Sequence, residues 1–187
     1  MKKMKRTPFL KQLKSLGLYF ENIVDQPCFY IYSDLPYAET GFSIDATIHQ
    51  KLEFYQNADL YMTFIALLMD KLNETIVYAG SFNNDSSFYQ KWKGLKHYDC
   101  FRFFQSTFQN YSIYQLSFPD DKILLNTILE NGFRDFSNMQ LFLPQSKTII
   151  KFDCHMQIIL FPKNFSSMEP TLKNLLKNDP HLRLTKS

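Results

Sequence analysis

Glycine is nearly missing from this chain, with five residues in 187. Phosphate cradles of the G-x-x-x-x-G-K-[ST] or G-x-G-x-x-G type need glycines clustered where backbone must approach the ligand, and neither pattern occurs. Cysteine is scarce as well. Cys28, Cys100 and Cys154 make an odd number, far below the density of a disulfide scaffold, so reduced thiols in a reducing compartment are expected. No apolar run approaches the roughly 20 residues of a bilayer span; the longest, Leu60 to Leu72, has thirteen residues and contains Asp70. The opening "MKKMKRTPFLKQLKSLGLYF" starts like the basic region of a secretion signal, but Lys11, Gln12 and Lys14 break the stretch where an apolar run belongs. No membrane helix is expected, and a cytoplasmic location is. The enzyme signatures G-x-S-x-G, H-E-x-x-H and S-x-x-K do not occur either.

What the chain has in quantity is core material, 45% apolar and 17% aromatic residues. That suffices for one domain over 1–187. The net charge of +3 conceals a segregation: residues 1–14 carry six Lys or Arg and no acid, residues 171–187 carry four and one, and residues 15–170 carry eleven and seventeen. The body is acidic and the ends, 1–7 and 180–187, are basic segments expected to flex. Basic arms can bind nucleic acid, but clusters this short are read as solubilising ends, so nucleic acid is not the expected partner.

Hydrophobic periodicity supplies the elements. "TPFLKQLKSLGLYF" sets Phe9, Leu10, Leu13 and Leu16 against lysines, an amphipathic helix ending near Gly17. "PCFYIYSD" reads as a strand. "GFSIDATI" alternates Phe42, Ile44, Ala46 and Ile48 with polar residues and predicts a half-buried strand. From Asn57 to Leu72 the pattern is helical and apolar on most sides, as in a central helix. "TIVYAGSF", "CFRFFQSTF" and "SIYQLSF" follow as strands, with a loop over 83–99. Pro119, Asp120 and Asp121 open a helix that closes at Gly132. "MQLFL", "TIIKF" and "MQIILF" lie at hairpin spacing, and a last helix opens at Ser166 with Glu169 completing a capping box. Clustered strands with interspersed helices define an α+β fold: a mixed, mainly antiparallel sheet with a central buried helix and flanking helices.

Candidate chemistry is thin. Asp153, Cys154 and His155 stand together in "TIIKFDCHMQIILF". In a continuous strand Cys154 and His155 would face opposite ways and could not act as nucleophile and base. A hairpin tip is the preferred reading, with Ile150 and Phe152 facing Met156 and Ile158. His97 and Cys100, spaced H-x-x-C, would give four zinc ligands with Cys154 and His155, but this spacing matches no zinc pattern. Asp120 and Asp121 suit the positive end of a helix dipole. His49, at the end of a strand, and His181, in the tail, read as solvated. No catalytic residue, metal or cofactor is expected. The segment 98–118 is dense in aromatic rings beside Arg102 but lacks the glycine-containing pattern of an RNA-stacking strand. Phe103, Phe108, Tyr111 and Tyr114, placed on its outer face, are the candidate protein-binding residues, because interface centres are rich in aromatics.

Three segments, "GFSIDATI", "ADLYMTFIALLMDKLNETIVYAG" and "LLNTILENGFRDFSNMQLFLPQSKTIIKFDCHMQIIL", resemble in order and spacing a family of uncharacterised bacterial single-domain proteins. That resemblance implies a Phe-containing strand, then a long helix running into a strand, then a C-terminal hairpin. The family's hairpin carries a Tyr-Asp-Asp-Arg-Gly turn; "FDCHM" stands there in this chain, so no residue role carries over. The pattern is also similar to small proteins of toxin and immunity loci, which implies a partner-binding role. The expected function is therefore non-catalytic binding that neutralises or modulates a protein partner, a toxin or defence protein, as immunity proteins or viral antagonists of bacterial defences do. The alternatives are an enzyme using Cys154 or Cys100 with a histidine, with or without a metal, and nucleic-acid binding through the basic ends.

Overall fold

The computed structural model describes residues 2–18, 26–37, 45–80, 112–117, 120–123, 125, 140–153 and 157–187. Within them lie β1 (Lys2–Met4), α1 (Arg6–Ser15), β2 (Phe29–Ser33), α2 (Ile48–Leu72), β3 (Ile76–Gly80), β4 (Ser112–Leu116), β5 (Gln140–Leu143), β6 (Thr148–Asp153), β7 (Gln157–Pro162), α3 (Phe165–Leu176) and β8 (Leu182–Lys186). The strands form one eight-stranded sheet in the order β1-β4-β3-β5-β6-β7-β2-β8, and every described pairing is antiparallel. The fold is α+β, as expected.

Side-chain alternation divides the sheet into two apolar faces. Ile31, Ile76, Leu116, Leu141, Leu143, Ile150, Ile158 and Leu160 point one way, onto α2 and α3. Val77, Ile113, Phe142, Ile149 and Phe161 point the other way, onto Phe9 and Leu13 of α1. Adjacent Ile149 and Ile150 are both fully buried for this reason. Among the described residues the sheet is thus a middle layer, with one helix on one side and two on the other. The Phe9 ring meets Phe142 edge-on, with centroids 5.9 Å apart, and this contact seats α1.

Local chemistry sets the helix ends. Thr47 Oγ1 accepts from the Gln50 amide at 3.2 Å, and Gln50 Oε1 accepts from the Thr47 amide at 2.9 Å, a reciprocal capping box. The helix closes on Asn73, whose left-handed φ of 47° lets its amide reach the Met69 carbonyl at 2.8 Å. The strand expected over "GFSIDATI" is therefore absent from its described part, residues 45–48. Thr47 is a cap, Ile48 begins α2, and the strand that the family resemblance implies before the long helix is not formed there. Similarly, α3 is capped by Asn164, which accepts from the Ser167 amide at 3.2 Å, and not by Ser166.

The basic ends, expected to flex, are built into the sheet. Lys2, Lys3 and Met4 pair with Gln115, Tyr114 and Ile113, while Leu182–Lys186 runs along Ser33–Phe29. They form the two edge strands, and their lysines and arginine are side chains that discourage further strand addition. The hairpin read from "TIIKFDCHMQIILF" is present, with Ile150 opposite Leu160, Phe152 opposite Ile158 and Asp153 opposite Gln157. Its tip residues, 154–156, lie outside the described residues.

A buried carboxylate fixes the neighbouring hairpin. Glu74, just after α2, accepts from the Gln145 amide at 2.6 Å and from the Ser146 amide at 3.0 Å, which pins the β5–β6 turn beneath the end of the helix. At the other end of the sheet, Tyr61 of α2 accepts from the Ser33 amide at 2.6 Å, and Asn57 donates to the Pro36 carbonyl at 2.9 Å. These contacts lock α2 against the end of β2.

Candidate functional site

Helix α2 has 25 residues, spans roughly 37 Å at 1.5 Å per residue, and buries Phe54, Ala58, Tyr61, Ile65 and Leu68 against the sheet. Its pattern was read as apolar on most sides. The structure sharpens this: Leu68 and Met69 are buried, while Leu67 stands out at 49% exposure. Ile48 at 88% and Leu52 at 53% are also exposed on this helix. Positions 48, 52, 59, 63, 66 and 70 recur at helical spacing, so these side chains share the outward stripe.

Along the C-terminal half of that stripe runs an open groove of about 580 Å³, lined by Asp59, Met62, Thr63, Ala66, Leu67 and Asp70 of α2 and by Lys122. Lys122 is positioned by the helical turn after β4. There Asp121 Oδ2 accepts from the Ser117 amide at 2.9 Å, the Asp121 carbonyl accepts from the Leu125 amide at 2.9 Å, and Leu125 is buried in the α2 core. The Asp121 carboxylate thus ties the start of this turn back to the end of β4. Ile123, on the same turn, is 66% exposed. The groove offers two carboxylates, one ammonium and apolar walls, which suits a complementary surface. Among the described residues that line it there is no nucleophile paired with a base.

The aromatic patch fares differently. Tyr114 is 5% exposed and packs in the core beneath α2, because its position in β4 points it to that side of the sheet. It is a core residue, which corrects its placement on an outer face. Phe103, Phe108 and Tyr111 lie outside the described residues, as do His97, Cys100, Cys154 and His155. Among the described residues no group of three or more His, Cys, Asp or Glu side chains is placed to hold a metal ion. No helix among them is long and apolar enough to cross a membrane.

The remaining candidates have structural partners. His49 is not at a strand end but in the first turn of α2, with Nε2 3.0 Å from Glu53 Oε1 one turn on. His181 Nδ1 lies 3.3 Å from Asp34 Oδ1, and Arg183 pairs with the other oxygen of the same carboxylate. This exposed cluster ties the start of β8 to the end of β2. Cys28 is buried, with Sγ 3.1 Å from Ser187 Oγ. Burial pushes the Tyr61 phenol well above its ordinary value of 10.0, against a smaller opposing effect of the Ser33 amide. Glu169 is held below the usual carboxylate range, first by its hydrogen bond to Lys173.

Sequence reading missed the outer face of α2. The signal was available, since Thr47-Ile48-His49-Gln50 is a capping box and Ile48, Leu52 and Asp59 continue the period of Thr63, Ala66 and Asp70. Comparison with protein-family models, curated proteins and solved structures gave no match.

Proposed function

We propose that this protein is a non-catalytic binding protein whose α2 outer face docks on a protein partner and neutralises or modulates it, in the manner of immunity proteins or viral antagonists of bacterial defence. One observation carries the reading: Ile48, Leu52 and Leu67 are large apolar side chains exposed on a single helix, the first two on the stripe of Asp59 and Asp70 and Leu67 beside those aspartates in the groove. Exposed apolar groups rimmed by charge are the anatomy of an interface centre and its rim. The two aspartates define the partner's chemistry, an apolar protrusion flanked by Lys or Arg. Such charge complementarity governs encounter rate and partner choice more than affinity. A toxin or a defence protein is the partner class that this reading names.

The test begins with affinity capture from native lysate, using the wild-type protein and the double variant Leu52→Lys/Leu67→Lys, each first shown to be folded by circular dichroism. The captured protein is then purified and titrated against both. A stoichiometric partner should bind the wild type and bind the variant at least about 100-fold more weakly, as expected for loss of two central apolar contacts. A partner that binds both equally, or no stoichiometric partner at all, overturns the proposal. Alanine at Cys100 and Cys154 should leave the effect on the partner unchanged; loss of that effect without loss of binding would favour the cysteine enzyme instead.

A further inference from the structure

We propose that the opposite side of the molecule, the α1 face, binds the phosphate backbone of nucleic acid without sequence preference. Residues 1–14 contain six Lys or Arg and no acid. Taken as sequence these charges belong to a loose tail, but the fold gives them positions. Lys2, Lys3 and Met4 are fixed in β1 by pairing with β4, and α1 is fixed through Phe9 and Leu13, both 1% exposed, on Val77, Ile113, Phe142 and Ile149. With that stripe buried, helical geometry turns Lys11 and Lys14 outward, and Arg6, on the side of the stripe, is exposed at the first position of the helix. They line, with Thr7 and Leu10, a shallow groove of about 420 Å³.

The basic strip continues beyond the helix. Lys163 donates its ammonium to the Leu16 carbonyl at the end of α1, and its amide donates to the Lys147 carbonyl at 3.1 Å. Lys147 and Lys163, at the end of the sheet, also border a second open cleft, about 720 Å³, closed on its other side by Ser166 and Ser167 of the first turn of α3. The result is a row of cations with interspersed hydroxyls, which is what a polyphosphate backbone meets in its protein partners.

Two other anionic surfaces fit less well. Helices that lie on membranes keep an apolar face for the lipid, whereas the apolar residues Phe9 and Leu13 of α1 are committed to the sheet. Protein interfaces are depleted in lysine at their centres, and lysine dominates this face. Its ammonium groups are point charges suited to phosphates and carry no base-reading geometry, so recognition is electrostatic. This inference is independent of the α2 reading, because the sheet lies between the two faces.

Fluorescence anisotropy with a labelled 20-bp duplex and with single strands of DNA and RNA, between 50 and 200 mM KCl, tests the proposal. With about five phosphates neutralised, duplex affinity should fall about 500-fold over that range. Lys11→Gln/Lys14→Gln should weaken binding at every sequence and reduce the logarithmic salt slope by about 2. Asp59→Asn/Asp70→Asn, on the far side, should not weaken it. Absence of binding at 50 mM salt, a slope unchanged in the lysine variant, or tighter retention on vesicles of anionic phospholipid than on any nucleic acid would each overturn the inference.

Discussion

Replacing Tyr61 by phenylalanine removes one oxygen from the middle of the molecule and little else. The ring is fully buried, so its packing survives, but the hydroxyl that accepts from the Ser33 amide at 2.6 Å is lost. A part-buried amide without its acceptor costs about 1–3 kcal/mol, and a loss of about 2 kcal/mol is expected at pH 7.5. For a chain of this size that lowers the melting temperature by about 4–8 °C. The pH dependence is a sharper check. Burial raises the folded-state pKa of Tyr61 above the ordinary 10.0, so the unfolded chain releases this proton first as pH climbs. The stabilisation from that shift is complete below pH 10 and is lost as pH rises through the folded value. Urea unfolding of both proteins from pH 8 to 11 should show the wild-type advantage constant to about pH 10, then shrinking by up to about 1.4 kcal/mol per unit. Parallel stability curves to pH 11 would refute the burial, and a neutral substitution at pH 7.5 would refute the hydrogen bond.

The other stability tests concern α2 and its surroundings. Glu74→Ala removes the charged acceptor of the Gln145 and Ser146 amides and should cost about 3 kcal/mol, read as a lower urea midpoint at unchanged m-value; a loss under about 1 kcal/mol would mean that water replaces the carboxylate. Thr47→Ala breaks the capping box and should cost about 1 kcal/mol. It should also speed hydrogen exchange of the Lys51 amide, which bonds the Thr47 carbonyl, while leaving amides in the middle of α2 protected.

Where one segment's own pattern decides its structure, the sequence was readable. "TIIKF" and "MQIILF" are β-branched runs bounded by polar residues, and they pair as β6 and β7. Phe9 and Leu13, one turn apart among lysines, marked the buried stripe of α1. Reading failed where a local pattern was ambiguous or where a distant partner decided. "SIDATI" alternates like a strand, but Thr47 and Gln50 complete a cap, and Ile48, 88% exposed, has no core to hold it in strand geometry. At 164–169 two capping patterns overlap, and Asn164, two residues after β7, prevails over Ser166. "KKM" and "LRLTK" carry too little apolar material to announce strands; β1 and β8 exist because β4 and β2 offer them open edges. Tyr114 could not be assigned a side of the sheet before the register was known, since a shift of one residue reverses every side chain. The candidate site was missed for a related reason, because the outward stripe of α2 is defined only once the inward one is.

The same layering decides whether the overall charge has any bearing on binding. A net charge of +3 describes neither surface. The cations of α1 and the aspartates of α2 stand on opposite sides of the sheet, and two helix-to-sheet spacings of about 10 Å each put roughly 20 Å between them. Exposed charges separated by more than the Debye length, about 8 Å at physiological salt, are largely screened from one another. The aspartates of α2 therefore do not neutralise the α1 face, and the lysines of α1 do not repel a basic partner from α2. Substitutions on the two faces share no contact and should combine additively. A variant carrying both Leu52→Lys/Leu67→Lys and Lys11→Gln/Lys14→Gln should lose each binding activity to the same extent as the separate variants. Coupling between the two losses would mean that one ligand spans an edge of the sheet, at β1 or β8, and touches both faces.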